Sequence, residues 1–289
     1  MKTDRIDKID IGSKEYPDGL REIANPPKQL YCAGNIDLLN SKALAVVGSR
    51  KFTIYGKQVA IMVGRRIAKA GIPVVSGLAY GIDAFAHQGV VEEGGKAIAV
   101  LGSGIKRMGP ASNRQLMSDL LDKGGLVVSE YDPEMPANRK TFPERNRIIS
   151  GLSTGLIVVE ANHNSGALIT AQFANEQGRT VYAVPGNINS QFSLGSNLLI
   201  RDGAVPLIII DDVIRDMGID IEQEESVKAE LGEDEISIVN SISRHGGITA
   251  DGIAKECNMR VSQVNAICTV LEIKGVIEIY GGKIHLAKH

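Results

Sequence analysis

The sequence predicts an α/β protein: a doubly wound, Rossmann-like parallel sheet followed by a small C-terminal winged-helix domain. Seven short apolar runs recur between residues 43 and 210, nearly all closed by Gly, Ser, Glu or Pro-Gly. The stretches between them have helical length, which is the signature of parallel strands covered on both faces. Beyond residue 235 the pattern changes to three short amphipathic segments and a Gly-Gly turn between apolar runs.

In chain order, residues 1–40 are expected to form an extension packed on the core. The first core strand, 43–47, stops at Gly48. The others are 72–75 before Ser76-Gly77, 97–101 before Gly102, 126–128 before Ser129-Glu130, 156–159 before Glu160, and 180–184 before Pro185-Gly186. Residues 205–210 close the series. Together 41–210 make one domain, with its ligand crevice at the carboxyl ends of the strands. Residues 236–289 make the second domain. Its helices are expected at 235–242, at 250–257 with Thr249 as cap, and at 261–274. A hairpin of 276–280 and 283–286 follows. The third helix occupies the place of a DNA reader, but its exposed face is not strongly basic. DNA contact and a protein-interaction role both stay open.

The 289 residues carry a net charge of −2 and 43% hydrophobic residues, which describes a globular chain. No apolar run reaches the ~20 residues of a membrane span. The first residues lack an apolar signal region, so a cytoplasmic protein is expected. Cys32, Cys257 and Cys268 are too few and too irregular for a disulfide framework or zinc cluster. No metal is expected. The small net charge conceals opposites. Residues 41–210 hold 18 Lys/Arg against 12 Asp/Glu, or +6, and 211–240 hold two against 11, or −9. Residues 211–235 therefore read as an acidic interdomain linker.

The strand ends carry the chemistry. Gly48, Ser49 and Arg50 close the first strand: glycine admits close approach, the next helix start offers amides to a phosphate, and arginine a bidentate contact. Ser76, Gly77 and Gly81 form the second loop. Asp83 and His87 follow it one turn apart, and ordering of their own loop is favoured over a metal or acid–base role. Arg139, Lys140, Phe142, Arg145, Asn146 and Arg147 combine four cations, an aromatic and an amide within nine residues. Cations for phosphates and a ring for a base are a single-strand nucleic-acid combination. Asn146 orients a base or caps a helix. Ser165 and Gly166 offer a further anion site at a helix start. No loop presents a nucleophile–base pair, which points to binding of a polyanion and not to catalysis.

Gly48-Ser49-Arg50, the Ser76-Gly77-Leu78-Ala79-x-Gly81-Ile82-Asp83 loop, Phe142-Pro143-x-Arg145-Asn146-Arg147-Ile148-Ile149-Ser150-Gly151 and Ser165-Gly166-Ala167-Leu168-Ile169-Thr170-Ala171 together resemble the DprA/Smf family of bacterial DNA-processing proteins. The resemblance covers about residues 10–210, and the tail resembles the winged-helix domain that many members carry. It implies a protein that binds incoming single-stranded DNA during natural transformation, protects it, and loads the recombinase RecA while displacing single-strand binding protein. It further implies a homodimer, no cofactor and no enzymatic activity. By motif matching, Arg50 falls on the family's strand-end arginine, and Lys140 or Arg139 near its second basic residue. An alternative is a nucleoside-monophosphate-processing enzyme of the related phosphoribohydrolase group. Gln172 stands where such an enzyme's catalytic glutamate is expected.

Overall fold

Alternate residues of the strand Leu44–Val47 face opposite sides of a sheet. Leu44 and Val46 join one apolar cluster, and Ala45 and Val47 join the other. Burial on both faces is what a continuous apolar run requires. In the computed structural model, residues 5–219, 232–273 and 276–287 are described. The chain divides into two compact units, Met1–Ile221 and Glu222–His289.

The first unit is built on nine strands: β1 (Asp7–Asp10), β2 (Gln29–Gly34), β3 (Leu44–Val47), β4 (Val74–Ser76), β5 (Ala97–Leu101), β6 (Leu126–Ser129), β7 (Gly155–Val158), β8 (Thr180–Ala183) and β9 (Val205–Pro206). Their order is β1-β2-β6-β5-β4-β3-β7-β8-β9. From β3 the chain steps outward through β4, β5 and β6, then returns to β7 on the other side of β3. All pairs from β6 to β9 are parallel. The order reverses between β3 and β7, and a doubly wound sheet opens its crevice at that switch point.

The helices are α1 (Asp18–Arg21), α2 (Ile54–Lys69), α3 (Ile82–Glu92), α4 (Arg114–Asp122), α5 (Thr141–Gly151), α6 (Gly166–Glu176), α7 (Leu194–Arg201) and α8 (Ile210–Asp216). Val63 and Ile67 of α2, Ile82 and Val90 of α3, Leu120 of α4 and Ile214 of α8 cover one face. Ile148 of α5, Ala171 of α6 and Leu20 of α1 cover the other. Helices α2 and α3 pack backbone to backbone. Gly64 lies on the carbonyl of Ala86 and Gly89 on that of Ile61, where a Cβ has no room.

Three boundaries differ from expectation. The first 40 residues do more than pack on the core, because β1 and β2 extend the sheet, β2 running antiparallel to β6. The run 205–210 is a strand only at Val205–Pro206, and Ile208 and Ile209 are exposed. The linker expected from 211 does not begin there: α8 buries Val213 and Ile214, and Arg66 pairs with Asp211 at 2.6 Å. Charge composition cannot distinguish an amphipathic acidic helix from a linker. The rest of that segment, residues 220–231, lies outside the described residues.

The second unit has α9 (Glu233–His245), α10 (Ala250–Glu256) and α11 (Val261–Ile273), then β10 (Ile277–Tyr280) paired antiparallel with β11 (Lys283–Leu286). Ile238, Ile242, Ile253, Val264, Leu271, Ile277 and Ile284 form its core. Thr249 caps α10, accepting from the Gly252 N–H at 3.2 Å. The hairpin turns on Gly281 and Gly282 with φ of 60° and 73°, values that glycine adopts without strain. The expected end of α11 at residue 274 lies outside the described residues. No helix among the described residues is long and apolar enough to cross a membrane.

Candidate functional site

A cavity of about 480 Å³ opens at the carboxyl ends of β3 and β7, the size range of a small-ligand site. Gly48, Ser49, Arg50 and Lys51 form one wall, and Asn162, Asn164, Ser165 and Gly166 the opposite one. Arg139, Phe142, Arg145 and Asn146 form the third, and Ala79 and Asp83 contribute from the β4 loop. Five of the residues expected at the site do not line the cavity: Ser76, Gly77, Gly81, Lys140 and Arg147.

Four of them build the walls from behind. Ser76 is buried and donates to the Val46 carbonyl at 2.6 Å. Gly77 leaves no space for a Cβ between Arg145 and Asp83. Gly81 has φ 99° and lies on the backbone of Ser49 and Arg50. Arg147 is 6% exposed, pairs with Glu130 at 2.6 Å and donates to the Asn25 and Glu144 carbonyls. Its expected role as a DNA-facing cation is therefore corrected: burial and a carboxylate partner remove its charge from the surface. Lys140 is exposed outside the cavity.

Arg145 is buried although it lines the cavity. It donates to the Gly77 carbonyl at 2.8 Å and to the carbonyl of Val100, satisfying acceptors left at the ends of β4 and β5. Burial brings its pKa down to about 10, Arg50 adding to the fall and Asp83 opposing it. Asp83 accepts from the Gly48 and Gly77 N–H groups at 3.4 and 3.2 Å. Burial raises its pKa above the ordinary value, while Arg145 and these backbone donors pull it down. His87, one turn on, is fully buried beneath the loop. Burial lowers its pKa to about 4, the Ile98 backbone opposing the fall and Arg145 adding to it. Asp83 thus ties its own loop to the end of β3.

The helix starts are not equivalent. The amides at the start of α2, expected to receive a phosphate, already face the buried carboxylate of Glu160. It accepts from the Thr53 N–H at 2.9 Å and the Thr53 hydroxyl at 2.6 Å. The start of α6 is open. Ser165 caps it, accepting from the Ala167 N–H at 3.3 Å, and no atom lies within 4 Å of a Cβ built on Gly166. No acidic residue occupies its first turn, so its partial positive charge faces the cavity uncompensated. Asn146 lies inside α5 and caps nothing. Its amide donates to the Gly166 carbonyl at 3.2 Å and tethers α5 to α6.

Around this end stand Arg50, Lys51 and Arg139, all exposed. Among the described residues no carboxylate lies within ion-pair distance of any of them. The Arg50 guanidinium lies over the Phe142 ring, 5.0 Å from its centroid. The cavity thus offers three unpaired cations, a helix start and an aromatic face, and a tied-up carboxylate. That is the chemistry of an anion site. Lys51, Asn162, Asn164 and Thr170 were not anticipated. Lys51, Asn162 and Asn164 sit in the same strand-end loops and Thr170 one turn into α6, so following each loop into its helix would have included them.

The profile of the DNA recombination-mediator protein A family matches residues 8–218, and that of the DprA winged helix domain matches 222–283. The DNA processing protein DprA of Bacillus subtilis is 40% identical over 213 residues, 73% of this chain and 71% of that protein. The X-ray structure of DNA processing protein A from Streptococcus pneumoniae superposes with a TM-score of 0.69 at 38% identity, covering 76% of this chain and 77% of that one. A structure of the Helicobacter pylori protein, which concerns its single-stranded DNA binding mode, gives 0.67 at 27% identity over 74% and 95%. With profile, relatives and superposed structures meeting on the unit that carries the cationic cavity, the chain belongs to the DNA recombination-mediator protein A (DprA/Smf) family.

Proposed function

We propose that the chain binds single-stranded DNA through this cavity, indifferent to base sequence, and serves as a recombination mediator. The observation that carries the reading is the set of three unpaired cations, Arg50, Lys51 and Arg139, around the open start of α6. Of the side-chain amides that line the cavity, Asn146 is held at both ends, its oxygen accepting from Arg145 and its N–H donating to the Gly166 carbonyl. Backbone charge and stacking are proposed to carry the binding. The Helicobacter pylori relative supports a single strand as the ligand. Protection of incoming DNA, loading of RecA during natural transformation, a homodimeric state, a cytoplasmic location and absence of cofactor or catalysis complete the proposal, and they rest on family membership. The second unit is proposed to contact duplex DNA or a partner protein.

Arg50→Ala combined with Arg139→Ala tests the cavity, the structure favouring Arg139 over Lys140 as the second cation. Oligo-dT affinity is expected to fall by about ten-fold or more. The slope of log K against log salt should flatten by about 1.4, the share of two phosphate contacts on a single strand. An unchanged affinity and slope overturn the assignment. Release of free base from nucleoside monophosphates would restore the enzyme reading. Gln172 argues against it, lying outside the cavity with its amide on Glu176 at 2.8 Å.

A further inference from the structure

Directly outside the cavity the fold displays an aromatic shelf. Ala79 lines the cavity, and Tyr80 follows it on a loop that Gly81 presses onto the backbone of Arg50; a Cβ on Gly81 would lie 2.9 Å from the Arg50 Cα. Tyr80 is 54% exposed. Its ring stands 5.9 Å from that of Phe52, which meets Phe85 edge-on at 4.7 Å. Lys57 holds its ammonium 5.1 Å from the Phe85 centroid.

Tyr80 differs from the aromatic inside the cavity. One face of Phe142 is taken by Arg50. Among the described residues no cation stands over Tyr80 and its hydroxyl has no hydrogen-bond partner. An open ring, braced by a second ring on a loop that lies against Arg50, suits a planar base on a charged backbone better than an apolar protein surface.

We propose that Tyr80, braced by Phe52, is a second nucleobase platform: a strand whose phosphate sits in the cavity crosses the Arg50 rim and stacks its adjoining base on Tyr80. The inference rests on the reading of the cavity as a single-strand site. Because every base has a π face, the platform adds affinity without sequence preference.

The chain contains no tryptophan, so Tyr80→Trp installs a single reporter at the shelf. Its fluorescence should be quenched by oligo-dT and unaffected by a deoxyribose-phosphate oligomer of equal length that lacks bases. Tyr80→Ala should lose about ten-fold in oligo-dT affinity, the scale of one base–aromatic stack. Its salt slope should stay unchanged, and it should lose nothing on the abasic oligomer. Three results overturn the platform while leaving the cavity intact: Y80W fluorescence that ignores bound oligo-dT, a Y80A affinity equal to that of the unaltered chain, or a Y80A penalty that persists without bases. If the unaltered chain fails to bind oligo-dT at all, cavity and platform fall together.

Discussion

Four cations lie between residues 139 and 147, and they do three different things. Arg139 reaches the cavity and Lys140 faces solvent beside it, whereas Arg145 and Arg147 are 4% and 6% exposed. The buried two hold the walls: Arg145 through carbonyls at the strand ends, Arg147 through Glu130 and two further carbonyls. A charge run shows its sign and spacing, but not its depth. Depth depends on which strand-end acceptors are left without donors, and no local pattern reports that. Arg147→Ala leaves Glu130 partly buried without its partner and the Asn25 carbonyl without the Arg147 donor. It should cost about 3 kcal/mol in denaturant unfolding, with the oligo-dT salt slope unchanged. A flattened slope with stability preserved would return Arg147 to the DNA surface.

Among the elements, the strands were the most legible because each is a local apolar run ended by a turn former. All seven runs contain a strand, as the pairing of β3 to β9 shows. The tail was legible for the same reason, with Thr249 as cap and Gly281-Gly282 at the turn. Element ends that depend on remote partners were not. The start of α2 looked like an anion site until Glu160, more than a hundred residues away, proved to occupy it. Helix α8 looked like linker because its acidic residues outweigh its two buried apolar ones. Ile214→Ala should lower the stability of the first unit by about 3 kcal/mol, the usual cost of a truncated core aliphatic. A true linker position would leave the unfolding midpoint where it is.

Across the whole molecule, burial of one histidine contributes a predicted acid response, which the raised pKa of Asp83 opposes. His87 is fully buried, with a pKa lowered from 6.5 to about 4. Between those values the unfolded chain binds a proton that the folded chain refuses, so stability rises with pH there and is lost as pH falls toward 4. The full contribution is about 3 kcal/mol. His87→Leu should remove that part of the slope in unfolding curves taken across pH 4 to 6.5; an identical slope in the variant would show that His87 is not its source. Charge also acts at this scale. The total of −2 conceals +6 on residues 41–210 and −9 on residues 211–240, so the field a nucleic acid meets is set by segment and not by sum.

From residue order alone came the parallel sheet, the crevice at its carboxyl edge, the glycine and serine loops that line it, and the family resemblance. Each of these is written in contiguous residues, where burial, turn chemistry and spacing act over a few positions. Left to three-dimensional packing were the choice of Arg50, Lys51 and Arg139 as the unpaired cations, the closing of one helix start and opening of another, and the placing of Tyr80 at the rim. Those outcomes turn on partners far apart in the chain, and a side chain's charge or ring is free for a ligand only when no such partner has already claimed it.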